Sequence, residues 1–431
     1  MFRFANMLIL KVTRGCNLNC SYCYVRNKEN FKQERLDFDL YTKTIDRIIS
    51  DKLISDDKNE FSLIFHGGEP LLHTPESLAK MMDYATNKFL DNNLKLKLGM
   101  QTNLTLMNEE YAQVLGKYCV SIGASFDGIN KGNEGRTKTI NQEKYEEKFK
   151  LMDKYGLQYG FLLVASDSNI DYIHESVEYL RDVYKINGVK INYAEDVNNV
   201  GGEVSGKDFF EKAWKPFIDD YINGEKIIED NLNEIIKRFI IQLLTYSNGF
   251  PKSNCGLKIC GGGINIIEMN PDGSIYLCGR YSEDYPVAYV MEVLDNDFLA
   301  LKQYKKYIGF VKEKNKHLID LKCDTCPADF ICDHGCMAFH YSKYEKYGIR
   351  KNLVCEIFKP LQRYLTENAF DIFKTYYNLN KDTNGNVFIN NGEDPKDIKT
   401  NSKILTRISN ELNLYVNIAD NDKNQIIIGK K

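Results

Sequence analysis

The chain of 431 residues has no long apolar run, no long basic stretch and no secretion signal. A membrane-spanning helix needs about 20 consecutive apolar residues, so the sequence predicts no membrane span and no membrane partner. The formal net charge is −3, whereas nucleic-acid binders cluster positive charge, so nucleic acid is not an expected partner. We therefore expect a cytoplasmic protein, long enough for about three domains.

Cysteine, in contrast, is abundant, with 12 residues. Without a secretion signal, this many thiols predict bound iron or zinc in a reducing compartment and not disulfides. Cys16, Cys20 and Cys23 directly follow a strand-like run at 7–12. Three thiolates can hold a four-iron cluster and leave its fourth iron open to a ligand that is not protein. A structural zinc site is the alternative, but such sites usually pair two Cys-x2-Cys units or add histidines, and no histidine lies near this loop.

The spacing Cys-x3-Cys-x2-Cys, with Tyr22 before the last cysteine, resembles the signature of the radical S-adenosylmethionine (radical SAM) enzymes. The resemblance implies that Cys16, Cys20 and Cys23 form the catalytic centre, whose open iron is chelated by the amino and carboxyl groups of SAM. It implies that Tyr22 belongs to the cofactor site and that one-electron reduction cleaves SAM to a 5′-deoxyadenosyl radical. A flavodoxin or ferredoxin is then the expected reductant.

A second motif, His-Gly-Gly-Glu-Pro at 66–70, follows a strand-like run at 61–65. Two glycines let a ligand approach the backbone closely, and a carboxylate beside them can accept hydrogen bonds from an ammonium group. Taken alone, the segment also fits an ordinary strand-to-helix turn. Because it lies about one βα unit after the cysteine loop, it resembles the family's GGEP segment, which implies that Gly67, Gly68 and Glu69 hold the SAM amino group.

Polar residues end the next two strand-like runs. They are Gln101, Asn103, Ser125 and Asp127. The carboxyl ends of parallel strands face the mouth of a barrel, where such folds build their sites. The two runs resemble the family's Thr-Asn-Gly and Ser-Leu-Asp-Gly segments, although Leu104 replaces the first glycine, and the resemblance implies that these residues bind SAM. Arg136 resembles the arginine that pairs with the SAM carboxylate, and the alternative is a solvated loop arginine.

The apolar pattern predicts six βα units. Strands are expected at 7–13, 61–66, 95–102, 119–127, 157–165 and 188–194, and helices at 38–54, 75–92, 107–117, 142–155, 170–185 and 206–223. Six units predict an α/β fold in the form of an open, partial (β/α)6 TIM-type barrel, the usual radical SAM core. A doubly wound sheet fits the same pattern, and only the placement of the motifs favours the barrel.

Eight further cysteines lie in the second half of the chain. They are Cys255, Cys260, Cys278, Cys323, Cys326, Cys332, Cys336 and Cys355. Eight thiols could make two four-cysteine zinc sites. Attached to such a core, however, their spacing is similar to the SPASM extension of radical SAM enzymes, which carries two auxiliary four-iron clusters.

The resemblance assigns these cysteines position by position, for a total of three [4Fe–4S] clusters. The first auxiliary cluster takes Cys255, Cys260, Cys278 and Cys336, and the second takes Cys323, Cys326, Cys332 and Cys355. Both would be fully ligated by protein, so electron transfer or structural support is their expected role. A turn at 271–273 between two strand-like runs predicts a hairpin between ligands.

These observations divide the chain into four predicted parts. They are the radical SAM partial barrel at 1–223, a bridging helix or linker at 224–254, the SPASM domain at 255–376 and a small accessory segment at 377–431. A helix is expected at 361–376. The last part predicts a short helix near 401–411 and strands at 412–418 and 425–428, either as a small module or as a tail on the extension.

SPASM enzymes include maturases of ribosomally made peptides and anaerobic sulfatase maturases, so the resemblance implies a precursor peptide or protein as substrate. Sulfatase maturases usually carry an aspartate base directly after the cysteine equivalent to Cys278, whereas Gly279 stands here. A base could come from Glu195 or Asp196. Peptide epimerases need a thiol that returns a hydrogen atom, and the one unassigned cysteine, Cys119, is expected to be a buried core thiol away from the mouth.

We therefore predict a peptide maturase that installs an oxidative cross-link, with a thioether ranked before a carbon–carbon bond. The alternatives are a sulfatase-maturase-like protein oxidase that forms formylglycine and, below it, a peptide epimerase or a non-enzymatic iron-sulfur electron carrier. Only fifteen residues precede Cys16, so a winged-helix module that binds a leader peptide is not expected before the core. Leader recognition would then fall to a separate protein or to 379–431.

Overall fold

The computed structural model describes most of the first half of the chain and separate pieces of the second. The described residues are 5–23, 34–53, 60–137, 141–194, 202–245, 262, 265–280, 288–290, 322–332, 334, 353–376, 379–381, 387–389, 414–418 and 426–430. Among the helices in these residues, none combines the length and the apolar character that a membrane span needs.

Strands and helices alternate in the first half, as the apolar pattern predicts. The strands are β1 (Met7–Thr13), β2 (Phe61–Gly67), β3 (Leu96–Thr102), β4 (Ser121–Ser125), β5 (Tyr159–Ala165) and β6 (Val189–Tyr193). The helices between them are α1 (Phe38–Leu53), α2 (Pro75–Asp91), α3 (Glu109–Lys117), α4 (Gln142–Lys154) and α5 (Ile173–Tyr184). The starts of α2, α3 and α4 are capped by Thr74, Asn108 and Asn141, whose side chains accept backbone N–H groups of the first turn.

The six strands lie side by side in parallel, in their order along the chain. A doubly wound sheet would reverse its direction at a switch point, so this order excludes that alternative. Beyond β1 the sheet continues with β7 (Ile266–Met269), β8 (Ser274–Tyr276) and β9 (Ala288–Tyr289), and it does not close. The prediction of an open, partial barrel is confirmed.

Strand β7 joins the second half of the chain to the barrel. It pairs in parallel with β1, with Leu10 opposite Met269, and β8 returns antiparallel to it. The turn between them needs Gly273, whose φ is +79°. The predicted hairpin is therefore confirmed, but its pairing with β1 was not predicted, because strands distant in sequence carry no local signal of their partner.

The two faces of the sheet are covered to different degrees. On the outer face, Leu8, Leu10 and Val12 of β1 are fully buried in the core formed with the helices. On the inner face, Ile9 and its neighbour on β2, Ile64, are only partly buried. Most parallel sheets are covered on both faces, so the partly bare inner face leaves room for a ligand inside the open barrel.

The later helices differ in detail from the prediction. Helix α6 (Gly206–Asp208), a π-helical stretch (Phe209–Trp214) and α7 (Lys215–Ile222) follow β6, and α8 (Asp230–Thr245) lies in the predicted bridging segment. The predicted helix at 361–376 is two helices, α9 (Leu353–Glu367) and α10 (Ala369–Tyr376). Its predicted start was wrong because Pro360 lies inside α9, where burial of a long apolar face, including Ile357 and Leu361, offsets the cost of the proline.

The C-terminal segment forms a small sheet. It consists of β10 (Leu379–Lys381), β11 (Val387–Ile389), β12 (Leu414–Ile418) and β13 (Ile426–Lys430). All its pairings are antiparallel, in the order β10, β11, β13, β12. The two predicted strands correspond to β12 and β13, and the helix predicted near 401–411 lies outside the described residues. The division into domains stays a prediction.

The environment of Cys119 contradicts the sequence interpretation. The residue is exposed, with a φ of 50°, and it precedes β4 at the end of the barrel away from the mouth. The N–H groups of Cys119 and Val120 donate to the carbonyls of Gly116 and Leu115, as in the left-handed turn that ends many helices. Such a turn projects its side chain toward solvent, so Cys119 is not a core thiol.

Candidate active site

The cysteine loop lies directly after β1, at the mouth of the barrel. Cys16 is exposed, Cys20 is buried and Cys23 is partly buried. Although Cys16 is exposed to solvent, the protein atoms around its thiol partly desolvate it and raise its pKa to about 11, and negative charge on Glu69, Cys20 and Cys23 raises it too. Thiolate charges repel one another only when the thiols lie close together, so these three thiols face a common space. A bound metal favours the thiolate form and so lowers the pKa that this repulsion raises. The donor set therefore fits a cluster held by three cysteines.

The two glycines of the 66–70 motif lie against the cysteine loop. Gly68 donates its N–H to Thr13 O at 2.9 Å, and Glu69 donates its N–H to Gly15 O at 2.8 Å. A Cβ added to Gly67 would lie 2.1 Å from Thr13 O, and one added to Gly68 would lie 2.1 Å from Gly15 O. The close approach that the glycines allow is thus with the backbone of the cysteine loop, whereas the sequence interpretation assigned it to a ligand.

The Glu69 side chain is fully buried and joins the ends of β2 and β3. Its Oε1 accepts from Thr102 Oγ1 at 2.7 Å and Leu71 N at 2.9 Å, and its Oε2 accepts from Asn103 N at 2.7 Å. Burial raises the pKa of this carboxyl, while the three hydrogen bonds oppose the rise. The carboxyl is therefore committed to protein donors, and its contact with the SAM amino group stays a prediction.

Asn103 connects the end of β3 to the cysteine loop. Its Nδ2 donates to Asn17 Oδ1 at 3.0 Å and lies 3.8 Å from Cys16 Sγ. Its Oδ1 accepts from Thr105 Oγ1 at 2.7 Å, and Thr105 Oγ1 accepts from Asn17 Nδ2 at 2.7 Å. Sequence reasoning missed Asn17 and Thr105, although Asn17 stands inside the cysteine spacing and Thr105 follows the polar strand end closely.

Leu104 takes the backbone conformation expected of the glycine it replaces. Its φ is +64° and its side chain is fully buried. Glycine adopts this left-handed conformation without steric cost, whereas a leucine is strained in it. Leucine therefore occupies a backbone conformation at this position that favours glycine.

Gln101 and Ser125 meet inside the barrel. Gln101 Nε2 donates to Ser125 Oγ at 2.7 Å. Gly123 of β4 lies opposite Gln101 of β3 and leaves room for the Gln101 side chain. A Cβ at Gly123 would lie 2.1 Å from Gln101 Oε1. The structure thus brings these two predicted residues together, and their contact with SAM stays a prediction.

Tyr22, Asp127 and Arg136 form a buried group beside the cysteines. Tyr22 donates its hydroxyl to Asp127 Oδ2, and Arg136 Nη1 donates to Tyr22 Oη at 2.8 Å. Arg136 Nη1 lies 3.4 Å from Asp127 Oδ1, and the two side chains are 9% and 0% exposed. The alternative of a solvated loop arginine is therefore excluded.

Arg136 has donor capacity to spare for an anionic ligand. Its Nε is buried and has no hydrogen-bond partner among the described residues. Burial lowers the pKa of the guanidinium, but the adjacent Tyr22 and Asp127 raise it, so its pKa lies well above the usual value and the group stays charged. A buried, charged group with an unused N–H fits a carboxylate such as that of SAM.

The structure describes five of the eight cysteines in the second half. Cys278 lies two residues after β8, and Cys332 is partly buried. Cys323 begins a single turn of 3-10 helix, and Cys326 follows it directly. Burial raises the pKa of Cys323, and negative charge on Cys355 of α9 and on Cys326 raises it further, so these three thiols lie near one another. They belong to the predicted second auxiliary cluster. Cys255, Cys260 and Cys336, like Glu195 and Asp196, lie outside the described residues.

Comparison with protein families and curated proteins agrees with this geometry. Residues 10–180 match the family model of the radical SAM superfamily. The chain is 32% identical over 179 residues to the uncharacterized protein MJ0907 of Methanocaldococcus jannaschii, and this match spans 57% of that protein. It is 23% identical over 370 residues to a cysteine-type anaerobic sulfatase-maturating enzyme of Clostridium novyi, which covers 82% of this chain and 93% of that enzyme.

Two further similarities extend beyond the barrel. The radical SAM cyclopropyl synthase TigE of Paramaledivibacter caminithermalis is 24% identical over 388 residues, or 85% of this chain and 75% of TigE. The solved structure of native anSMEcpe with bound AdoMet superposes with a TM-score of 0.70 at 19% identity, covering 86% of this chain and 99% of that one. At this identity the structural match shows the shared fold.

Members of the radical SAM superfamily work with a [4Fe–4S] cluster and SAM, and they are enzymes, which excludes the alternative of a non-enzymatic electron carrier. The family match covers the cysteine loop, the glycine motif and the buried arginine, whose geometry fits these cofactors. Residues 10–180 of the chain therefore form a radical SAM domain, and the protein is an enzyme.

Proposed function

We propose that this enzyme oxidatively modifies a side chain of a peptide or protein substrate, with SAM bound to a cluster held by Cys16, Cys20 and Cys23. The observation that carries the proposal is the buried Arg136, whose charged guanidinium keeps an unused N–H beside the cysteine loop. The sulfatase-maturating relatives, whose name states a protein substrate, support the substrate class.

Each residue of the site has a distinct task in this proposal. When bound, the cluster and SAM supply a 5′-deoxyadenosyl radical that removes a hydrogen atom from the substrate. Arg136 binds the SAM carboxylate, and Asp127 and Tyr22 hold the guanidinium in place. Glu69 fixes the ends of β2 and β3, and the inner face of the barrel receives the substrate.

For the product we propose an oxidative cross-link, with a thioether ranked first. Gly279 follows Cys278 where sulfatase maturases usually carry an aspartate base, so the chain lacks that feature of formylglycine formation. The similarity to a cyclopropyl synthase supports the class, because closing a cyclopropane ring makes a new carbon–carbon bond. The eight cysteines of the second half would hold two auxiliary clusters that accept the released electron.

Formylglycine formation is the second candidate. It is favoured by the match to sulfatase-maturating enzymes, which extends over 93% of the Clostridium novyi protein. Epimerisation receives no such support. Cys119 is exposed at the end of the barrel away from the mouth, where it cannot return a hydrogen atom to a substrate inside.

Co-expression with a short cysteine-containing peptide encoded beside this gene tests the proposal. Joining two groups removes one hydrogen from each, so we expect a peptide lighter by two hydrogens per bond, whereas epimerisation in ordinary water leaves the mass unchanged. A thioether leaves the cysteine unreactive to iodoacetamide and creates no carbonyl. A sulfatase-type product reacts with hydrazines instead. Such a product on a sulfatase peptide, with the small peptide unchanged, would replace the first candidate by the second.

A further inference from the structure

Four polar residues line one wall of the barrel interior, below the mouth. They are Lys11, His66, Glu268 and Asn270, which we name the polar wall. Lys11 lies opposite His66 across β1 and β2, and its Nζ lies 2.8 Å from Glu268 Oε1. Met269 points outward to Thr44 of α1, whose Oγ1 lies 3.5 Å from its Sδ. Alternation along β7 therefore directs Glu268 to the inner side. Asn270 directly follows the strand and continues its pairing, since its N–H donates to Ser274 O at 2.9 Å, so its side chain follows the same alternation.

The polar wall contains buried atoms whose hydrogen bonds are not made within the described part of the chain. Asn270 is 0% exposed, and neither its Oδ1 nor its Nδ2 has a hydrogen-bond partner. Glu268 is 1% exposed, and its Oε2 has no partner either. Each unmade bond costs about 1–3 kcal/mol, and native proteins retain few of them. Three such atoms, one on Glu268 of β7 and two on Asn270 directly after that strand, indicate a missing ligand.

His66 adds a donor that faces the interior. Its Nδ1 accepts the N–H of Gly67 at 2.8 Å, so the proton of the neutral ring lies on Nε2. Burial lowers the pKa of His66 to about 4, so the ring is neutral at neutral pH. The side chain is partly exposed on the inner face, and the polar wall is therefore open to the barrel interior at this residue.

The unused groups of the polar wall alternate between donors and acceptors. His66 Nε2 and Asn270 Nδ2 can donate, while Asn270 Oδ1 and Glu268 Oε2 can accept. The charges of Lys11 and Glu268 cancel as an ion pair. Glu268 would repel an anion, and Lys11 would repel a cation. A neutral amide offers one N–H and one C=O, which match the acceptors and the donors of the polar wall.

We infer that the polar wall binds a backbone peptide group of the substrate, with Asn270 making one hydrogen bond to its C=O and one to its N–H. The inference rests on the proposed function for the identity of the ligand. Ile9 and Ile64, which are partly exposed on the same face, provide an apolar surface for a side chain next to that peptide group. The polar wall thus positions the substrate inside the barrel.

The first test measures the stability of Asn270→Leu, which replaces the amide by an apolar group of similar shape. If the Asn270 amide serves to bind a ligand, the variant removes only polar atoms that have no hydrogen bond within the described part of the protein. Its midpoint of denaturation by urea then stays equal to or above that of the wild type. A buried water that completes the hydrogen bonds of Asn270 predicts a lower midpoint. A lower midpoint in both Asn270→Leu and Asn270→Ala would overturn the inference.

The second test uses N-methylacetamide, the smallest model of a peptide group, as the probe. We expect it to bind the wild type at the polar wall in a soaked crystal, and Asn270→Leu to raise its Kd about tenfold in solution. Asn223→Ala, at an exposed position on the surface, is the matched control and should leave the Kd unchanged. Water at the polar wall in place of the probe, or equal Kd values for both variants, would overturn the inference.

The two tests separate this inference from the proposed function. Binding of N-methylacetamide needs neither iron nor SAM, so a protein that never cleaves SAM can still confirm the polar wall. An enzyme that modifies its peptide while the polar wall holds only water would leave the proposed function intact and remove the inference alone.

Discussion

The two cysteine regions of this enzyme are supported in different ways. The first loop is fixed by the barrel, through backbone hydrogen bonds from Gly68 and Glu69 to Thr13 and Gly15. In the second half, Cys323 and Cys326 lie at the start and just after the end of a single turn of 3-10 helix, Cys355 lies on α9, Cys278 follows a short hairpin strand, and Cys332 lies outside helix and strand. Phe330, which lies between Cys326 and Cys332, stacks on Phe239 of α8 with ring centroids 6.1 Å apart and attaches this cysteine-containing segment to α8.

The difference indicates where metal binding contributes to folding. A loop fixed by a sheet is ordered before any metal binds, whereas thiols on short elements depend on the metal for much of their stability. We therefore expect the first site to be preorganised and the extension to be stabilised by its clusters. The following predictions test this contrast, from the largest expected effect to the smallest.

Removing the three cysteines of the first loop should abolish activity and keep the fold, whereas removing cysteines of the second half should lower the stability of the fold. Replacing Cys16, Cys20 and Cys23 by alanine should abolish formation of 5′-deoxyadenosine, keep the fold and retain about two-thirds of roughly twelve irons. Replacing Cys323, Cys326 and Cys355 should instead lower the thermal midpoint, because the extension loses bound metal. Iron analysis, product analysis and circular dichroism measure these effects. Near-stoichiometric zinc with little iron would contradict the cluster assignment.

The buried pair of Arg136 and Asp127 at the mouth should tolerate the removal of both charges better than the removal of one. Arg136→Met leaves the carboxylate of Asp127 buried without its partner, which typically costs about 3–5 kcal/mol. The double variant with Asp127→Asn should regain much of that free energy of unfolding but not the affinity for SAM. Urea denaturation and equilibrium dialysis of SAM separate the two properties. Recovery of SAM binding in the double variant would show that Arg136 does not bind SAM.

Acid should destabilise the barrel through His66. Burial lowers its pKa to about 4 in the folded protein, whereas an unfolded histidine titrates near 6.5. The unfolded state therefore binds more protons between these values, and the stabilisation present above pH 6.5 is lost as the pH falls toward 4. We expect about 3 kcal/mol of difference. The wild type should lose this stability relative to His66→Asn, and parallel pH profiles of the two proteins would contradict the assignment.

The smallest effect concerns the strained Leu104. Its buried side chain is lost in both Leu104→Ala and Leu104→Gly, but only glycine relieves the φ of +64°. We expect Leu104→Gly to be more stable than Leu104→Ala by about 1 kcal/mol. Thermal denaturation of the two variants measures the difference. The opposite ranking would show that the left-handed conformation relaxes at no cost.

Much of the barrel could be predicted from sequence because its signals are local. The six strands and most helices lie within a few residues of the predicted bounds, since apolar periodicity and capping residues act over a few positions. Similarly, the cysteine spacing and the 66–70 motif indicated the site directly. The burial of Cys119 was predicted wrongly, because a left-handed turn after α3 precedes the strand and turns the side chain outward.

The sequence by itself determined the alternating strands and helices of the core and the motif residues gathered at the mouth, whereas the order of the strands in the sheet came from the structure. Only the tertiary structure decided what those residues contact. It showed that the glycines meet the backbone of the cysteine loop, that Arg136 is buried on Asp127, and that β7 lies beside β1 with Glu268 facing Lys11. Contacts of this kind join residues far apart in the chain, and no local pattern specifies the partner because it depends on how the whole sheet assembles.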